Sequence, residues 1–180
     1  MEELSLHILD LVENSVAAGA KSVEVRICEN RWEDLLSIEI ADDGTGMNGR
    51  ALASATDPFF TTKTTRRVGL GLPLFSQAAR AAGGEVKVES RRGAGTRVTG
   101  TFRHSHLDRQ PLGDIAGTLL SLVVGNPEID FTYLHQTEDS EVSFCSREIR
   151  AQLGAVPINS VEGIAAVRRS LKTVRQLARG

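Results

Sequence analysis

The chain is poor in cysteine, with only Cys28 and Cys145, which lie far apart and share no C-x-x-C spacing. That excludes a disulfide-stapled scaffold and a cysteine metal knuckle, and it suits a reducing compartment. Neither sign of charge is in clear excess: 21 bases against 23 acids leave a formal net charge of −2. No global field therefore draws the molecule to nucleic acid or to an anionic membrane. Long apolar runs are also missing. The most apolar stretch, Ile115 to Val124, is about half the length needed to cross a bilayer. The opening MEELSLHILDLVEN is acidic where a secretory leader would be basic. These absences predict a cytoplasmic protein without membrane or nucleic-acid partners. What is present is 180 residues of globular composition, 41% hydrophobic and 24% charged. That is enough for one domain, or for one domain with a substantial appendage.

Hydrophobic spacing gives the element order. Leu4, Ile8, Leu11, Val12, Ser15 and Val16 recur at helical intervals, and Gly19 stands where a helix ends. Ser22–Cys28 and Leu36–Ala41 alternate as half-buried strands, joined by ENRWED as an antiparallel hairpin. A stretch rich in Gly, Thr, Asp and Arg runs from Asp42 to Gly71, with a short helix expected over Met47–Ala55. A helix over Leu72–Ala82 is stopped by Gly83-Gly84, and strands Glu85–Ser90 and Thr96–Phe102 flank the turn RRGAG. This α-β-β-loop-α-β-β order predicts an α/β (α+β) fold. Its expected form is a two-layer sandwich, with a mixed, mostly antiparallel sheet and helices on one face. Residues 1–103 read as that domain, HSHLDRQP over 104–111 as a linker, and 112–180 as a small C-terminal α+β region. In that region Leu112–Val124 reads as a helix, and Ile129–His135 with Glu141–Ser146 as a hairpin. Asn159 with Glu162 reads as a capping box opening a helix to Leu177. His104 and His106 are expected to be linker residues, His135 part of a strand end, and Cys28 and Cys145 packing or edge-strand residues.

Four local signals carry chemistry. Asp10 and Asn14 are four residues apart and project from one helix face, with His7 on that face too. A carboxylate beside a carboxamide offers hard oxygens to a divalent ion; alone, the pair also reads as a solvated helix face. Asp42-Asp43-Gly44-Thr45-Gly46-Met47 leaves an apolar strand, so an acid could accept a hydrogen bond while glycines let a flat ring approach. It is equally a turn motif. Gly69-Leu70-Gly71-Leu72 runs into a helix, where exposed backbone N–H groups and the helix dipole favour a phosphate. Lys63, Arg66 and Arg67 precede it among threonines that include Thr62, which reads equally as a loop bringing cations near the phosphates or as an exposed basic loop. Gly93-Ala94-Gly95-Thr96 joins two strands as a hairpin turn, and its threonine hydroxyl could also reach a phosphate. The intervals are regular: 28 residues from Asn14 to Asp42, 27 to Gly69 and 27 to Thr96.

In that order and separation the motifs resemble the GHKL superfamily of gyrase, the ninety-kilodalton heat-shock chaperone, histidine kinases and MutL-type repair proteins. LVENSVAAGAKSVEV resembles a MutL-type N-box helix and strand, while PFFTTK and GLGLPLFSQAARAAGGEVKVESRRGAGTRV resemble the catalytic half of a histidine kinase. The resemblance covers about Leu4 to Phe102 and implies a Bergerat-type ATP site with Mg²⁺. It implies Asn14 as the Mg²⁺ ligand and Asp42 as acceptor for the adenine amino group. Gly44 and Gly46 would shape that pocket, and Asp57 to Arg67, with Thr62 and Lys63, would form a lid. Gly69, Leu70, Gly71 and Leu72 would lie at the phosphates, and Thr96 would close the far side. Asp10 stands where hydrolysing members place a glutamate and kinases an asparagine. The shorter carboxylate leaves its reach as a general base open.

Only a few residues precede this N-box, so transfer to a phosphoacceptor hairpin in cis is not expected. The resemblance implies a histidine- or serine-type protein kinase or regulator acting on an unknown partner in trans. The alternatives are an ATP/ADP-dependent binding module, using the apolar helix Leu112–Val124 for its partner, and a weak ATPase. Oligomeric state stays open.

Overall fold

The computed structural model describes residues 3–56 and 71–177. The amphipathic opening becomes α1 (Leu4–Ala17), which turns Leu4, Ile8, Leu11 and Val12 into the core. Burial of each such side chain stabilises the fold by about 2 kcal/mol. β1 (Ser22–Asn30) and β2 (Leu35–Asp42) form the expected antiparallel pair, with Val25 opposite Ile40 and Ile27 opposite Ile38. Then come α2 (Gly49–Thr56) and α3 (Gly71–Ala81), followed by the hairpin of β3 (Val86–Ser90) and β4 (Thr96–Arg103). Phe75 of α3 lies edge-on to Phe102 of β4, with ring centroids 5.6 Å apart. Gly100 lies beneath that ring, and a Cβ there would stand 2.4 Å from Phe75 Cζ, so the close approach of helix to sheet requires glycine.

The later strands join the same sheet. α4 (Ile115–Gly125), β5 (Asp130–Gln136), β6 (Glu141–Cys145), α5 (Ser146–Leu153), α6 (Val161–Ser170) and α7 (Lys172–Leu177) follow in order. The six strands run β3-β4-β2-β1-β5-β6, with β5 parallel to β1 and every other neighbouring pair antiparallel. The segment 104–111 thus connects two parts of one sheet. β4 and β5 point the same way, so the chain must cross the sheet between them, and parallel strands need a crossover element. α4 makes that crossing and packs on α1. Val23, Val25 and Ile27 of β1, Leu36, Ile38 and Ile40 of β2, and Phe131 and Tyr133 of β5 share the buried face, while Arg26 and Cys28 are exposed on the other. The sandwich therefore has two layers. No helix among the described residues is long and apolar enough to cross a membrane.

Several details differ from the sequence reading. α4 is a core helix: Ile115, Ala116, Leu119, Leu122 and Val123 are buried, so its apolar face is not available to a partner. α5 was not expected; the chain turns into it at Ser146, whose hydroxyl accepts from Phe131 N at 2.8 Å. α6 is capped by Ser160, which accepts from Gly163 N at 3.1 Å, rather than by the Asn159–Glu162 box. The last helix is divided at Leu171. Cys28 lies on β1, inside the sheet rather than at its edge.

His104 and His135 are not bystanders. His135 is fully buried, with Nε2 2.8 Å from Glu29 Oε1 and Nδ1 3.1 Å from the Tyr133 hydroxyl. His104 Nε2 lies 2.8 Å from the other Glu29 oxygen. These groups tie β1, β5 and the segment after β4 together. Hydrogen bonding from His135 is the main force that lowers the Glu29 carboxyl to about 2. Burial, with the negative charge of Glu29, raises the Tyr133 hydroxyl.

Candidate functional site

One end of the sheet gathers the described candidates. β2 ends at Asp42, β4 begins at Thr96, and the two residues stand opposite each other in the ladder. Asp42 Oδ1 accepts from the backbone N–H of Gly44 at 2.9 Å and of Thr96 at 3.3 Å. Its Oδ2 accepts from the Ser15 hydroxyl at 2.6 Å. Three donors on three segments orient this half-buried carboxylate, and Oδ2 retains acceptor capacity for a further donor. Asp43, its neighbour, is used differently. It accepts from the backbone N–H of Ser22 at 2.9 Å and of Lys21 at 2.7 Å, which lowers its carboxyl below the ordinary range and pins the turn to the start of β1. Of the two adjacent aspartates, Asp42 is the half-buried one, opposite Thr96 at the end of the β2–β4 ladder, whereas Asp43 is exposed and bonded towards the start of β1.

The floor of the site is backbone. Gly46 (φ +64) and Gly95 (φ +80) occupy the left-handed region that suits glycine. A Cβ on Gly95 would stand 1.9 Å from the Asp42 carbonyl oxygen, and one on Gly46 would stand 2.1 Å from that of Arg91. The turn after β2 thus lies directly on the β3–β4 turn, and Gly93 N donates to Thr45 O at 2.7 Å. Gly44 is buried against Ala18 at the end of α1. The Thr96 hydroxyl, expected near a phosphate, pairs with that of Ser90 at 2.8 Å, close beside Asp42.

Consecutive residues of α1 serve two sides of the site. Ser15 is buried and reaches Asp42, while Asn14, half-buried, faces the first turn of α3. A Cβ on Gly71 would meet Asp10 Cβ at 2.9 Å and Asn14 Nδ2 at 3.7 Å. Asp10, Asn14 and the N-terminus of α3 therefore converge, with Leu72 buried behind them. The free N–H groups and dipole of a helix N-terminus favour an anion. The exposed Asp10 carboxylate and the Asn14 amide add hard oxygen donors. No group of three His, Cys, Asp or Glu among the described residues could hold a metal ion. Mg²⁺ takes one or two protein ligands and completes its shell with phosphate and water, so Asp10 and Asn14 would be the residues to hold it. His7 departs from expectation. It is buried, with Nε2 3.0 Å from Gln110 Oε1 and its ring 6.0 Å from Phe75. Thr62, Lys63, Arg66, Arg67, Gly69 and Leu70, and most of the expected lid, lie outside the described residues.

Ser15 was legible only as part of a core stripe. Its contact with Asp42 spans 27 residues, and no local motif announces it.

A family model described as "Histidine kinase-, DNA gyrase B-, and HSP90-like ATPase" matches residues 2–106, more than half of the chain. The chain belongs to this ATPase family. Membership implies an ATP or ADP ligand, and the donor set at this end of the sheet fits one. Among curated relatives, the sensor protein kinase FleS of Pseudomonas aeruginosa is 39% identical over 92 residues, covering 51% of this chain and 23% of that protein. The histidine protein kinase DivJ of Caulobacter vibrioides is 32% identical over 96 residues, covering 51% of this chain and 16% of its own length. The matches thus span less than a quarter of these relatives. Among solved structures, the N-terminal domain of a DNA repair protein superposes with a TM-score of 0.54 at 17% identity, covering 86% of this chain and 58% of that one. Coverage of that extent reaches beyond residue 106, so the shared fold takes in part of the second half as well.

Proposed function

We propose that this domain binds Mg-ATP at the Asp42–Asn14 end of the sheet and passes the γ-phosphate to a histidine or serine side chain of a partner protein. The observation that carries the reading is the junction of α1 with α3. Asp10 and Asn14 stand against Gly71 while the residue next to Asn14, Ser15, holds the Asp42 carboxylate. A single helix thereby sets the spacing between an adenine acceptor and a metal–phosphate corner. Asp42 would accept from the adenine amino group, Asn14 would hold Mg²⁺, and the N-terminus of α3 would bind phosphate oxygens. Mg-ATP would supply the activated phosphoryl group: the bond between the γ-phosphorus and the β,γ-bridging oxygen breaks, ADP leaves, and the acceptor side chain's proton passes to solvent. Transfer of that group asks mainly for positioning, charge and metal from the protein. A second reading, weak hydrolysis, is favoured by one feature: Asp10 is an exposed carboxylate at the phosphate corner, in reach of a water.

The test follows the label from γ-labelled ATP, with Mg²⁺ and the purified protein, alongside calorimetric titration of ATP. Tight binding with the label remaining on ATP supports a domain that waits for an acceptor. Release of free phosphate that Asp10→Asn stops establishes the ATPase reading. Absence of ATP binding by wild type refutes both.

A further inference from the structure

The C-terminal helices carry a charge pattern that the nucleotide site does not use. From Gly163 to Gly180 the sequence holds five bases and no acid, in a chain whose net charge is −2. The inward side of α6 and α7 is apolar: Val167, Leu171 and Val174 are 0%, 3% and 0% exposed. These residues repeat at i, i+4 and i+7, and they place Arg168, Lys172 and Arg175 along the outward side, with Arg169 beside them, all exposed. The helical ladder carries through the break, since Leu171 N donates to Val167 O and Arg175 N to Leu171 O, each at 3.0 Å. The strip is therefore continuous over about 10 Å, seven residues at the helical rise.

None of these four cations meets a carboxylate among the described residues. Elsewhere Arg97, Arg103 and Arg147 meet Glu39, Asp34 and Asp130 at 2.8, 2.9 and 2.6 Å, while Arg50, Arg80, Arg91 and Arg92 meet no carboxylate among the described residues. What marks the strip is that its cations are aligned along one helical side. Like charges three or four residues apart weaken a helix. The C-terminal dipole offsets part of that repulsion, but it acts only within the last turn.

We propose that this outer strip of α6 and α7 is the docking surface for an acidic segment of a protein partner. Charge complementarity selects an anionic occupant, and the surroundings select protein. A membrane-surface helix needs an apolar face free to insert; here the apolar face is already in the core. Single-stranded nucleic acid is held by aromatic stacking as well as charge, and residues 161–177 contain no aromatic side chain. An acidic helix or extended segment presenting carboxylates at matching intervals satisfies the strip without either. α4 packs against both α7 and α1, which links the strip through α4 to the helix that carries Asp10 and Asn14. The inference stands whether or not the nucleotide reading holds, because the binding measured needs no ATP.

The test uses the full chain and a fluorescein-labelled peptide of twelve glutamates, with anisotropy read at low salt. Arg168→Gln/Lys172→Gln/Arg175→Gln should weaken binding by about tenfold, as expected from several exposed charge pairs acting together. The scattered control Arg50→Gln/Arg80→Gln/Arg92→Gln should leave it within about twofold. Reversing the strip with Arg168→Glu/Lys172→Glu/Arg175→Glu should abolish binding of the glutamate peptide and create binding of a lysine peptide of equal length. All six side chains are exposed, and unchanged circular dichroism will confirm that each variant folds. Equal losses in the strip and control variants overturn the proposal. So does tighter strip-dependent binding of a twelve-nucleotide single strand, or strip-dependent binding to phosphatidylserine vesicles.

Discussion

Replacing Asp42 by asparagine changes one atom at the point where three segments meet. In the wild type, Oδ1 takes the Gly44 and Thr96 amides, and Oδ2 takes the Ser15 hydroxyl at 2.6 Å. An asparagine can keep its carbonyl on the two backbone donors, which fixes its NH₂ in the place of Oδ2. Ser15 can adapt, because a hydroxyl also accepts. An adenine amino group cannot adapt, since it would meet a donor where it needs an acceptor. Leaving such a pair unsatisfied costs about 1–3 kcal/mol, so ATP and ADP should each bind about 5- to 150-fold more weakly. The melting temperature should fall by only a few degrees, since the local hydrogen bonds survive the exchange. Calorimetric titration of both nucleotides, with a thermal melt of each protein, checks this. ATP affinity within about twofold of wild type, in a variant that folds normally, would refute Asp42 as the adenine acceptor and the Bergerat reading with it.

Four further outcomes are expected. Ser15→Ala removes one donor from the Asp42 carboxylate and should weaken nucleotide binding several-fold while leaving the Mg²⁺ dependence unchanged; equal affinity would show that Asp42 needs no support from α1. Asn14→Ala should instead reduce the Mg²⁺-dependent part of ATP binding and spare ADP measured without Mg²⁺; a uniform loss would remove Asn14 from the metal. Gly95→Ala forces a Cβ to 1.9 Å from the Asp42 carbonyl oxygen at φ +80, and should cost about 2 kcal/mol or more of stability by denaturant titration; a neutral result would show that the two turns do not touch. The Glu29 carboxyl is lowered from 4.5 to about 2, so its stabilising contribution is fully present above about pH 4.5. That contribution, about 3 kcal/mol at 1.4 kcal/mol per pH unit, is lost as pH falls towards 2. The stability gap between wild type and Glu29→Gln should close over that window; a gap constant with pH would refute the pairing with His104 and His135.

The sequence by itself determined the first α-β-β and the later α-β-β units, because hydrophobic period and glycine punctuation act within a few residues. It also determined which residues to collect: Asp10, Asn14, Asp42, Gly71 and Thr96 carry their signals in local motifs, and the structure brings these described members to one end of the sheet. What lay beyond it depended on contacts between distant segments. β5 could be read as a strand from Phe131, Tyr133 and His135, yet nothing local says that it will pair parallel with β1. That pairing follows because β1 has a second edge to satisfy and α4 crosses the sheet to cover α1. The same crossing buries the α4 face that looked free for a partner. Ser15 shows the same limit at the scale of a single hydroxyl. Its place on the core stripe was visible, but its role at Asp42 exists only after α1 is packed against the end of β2.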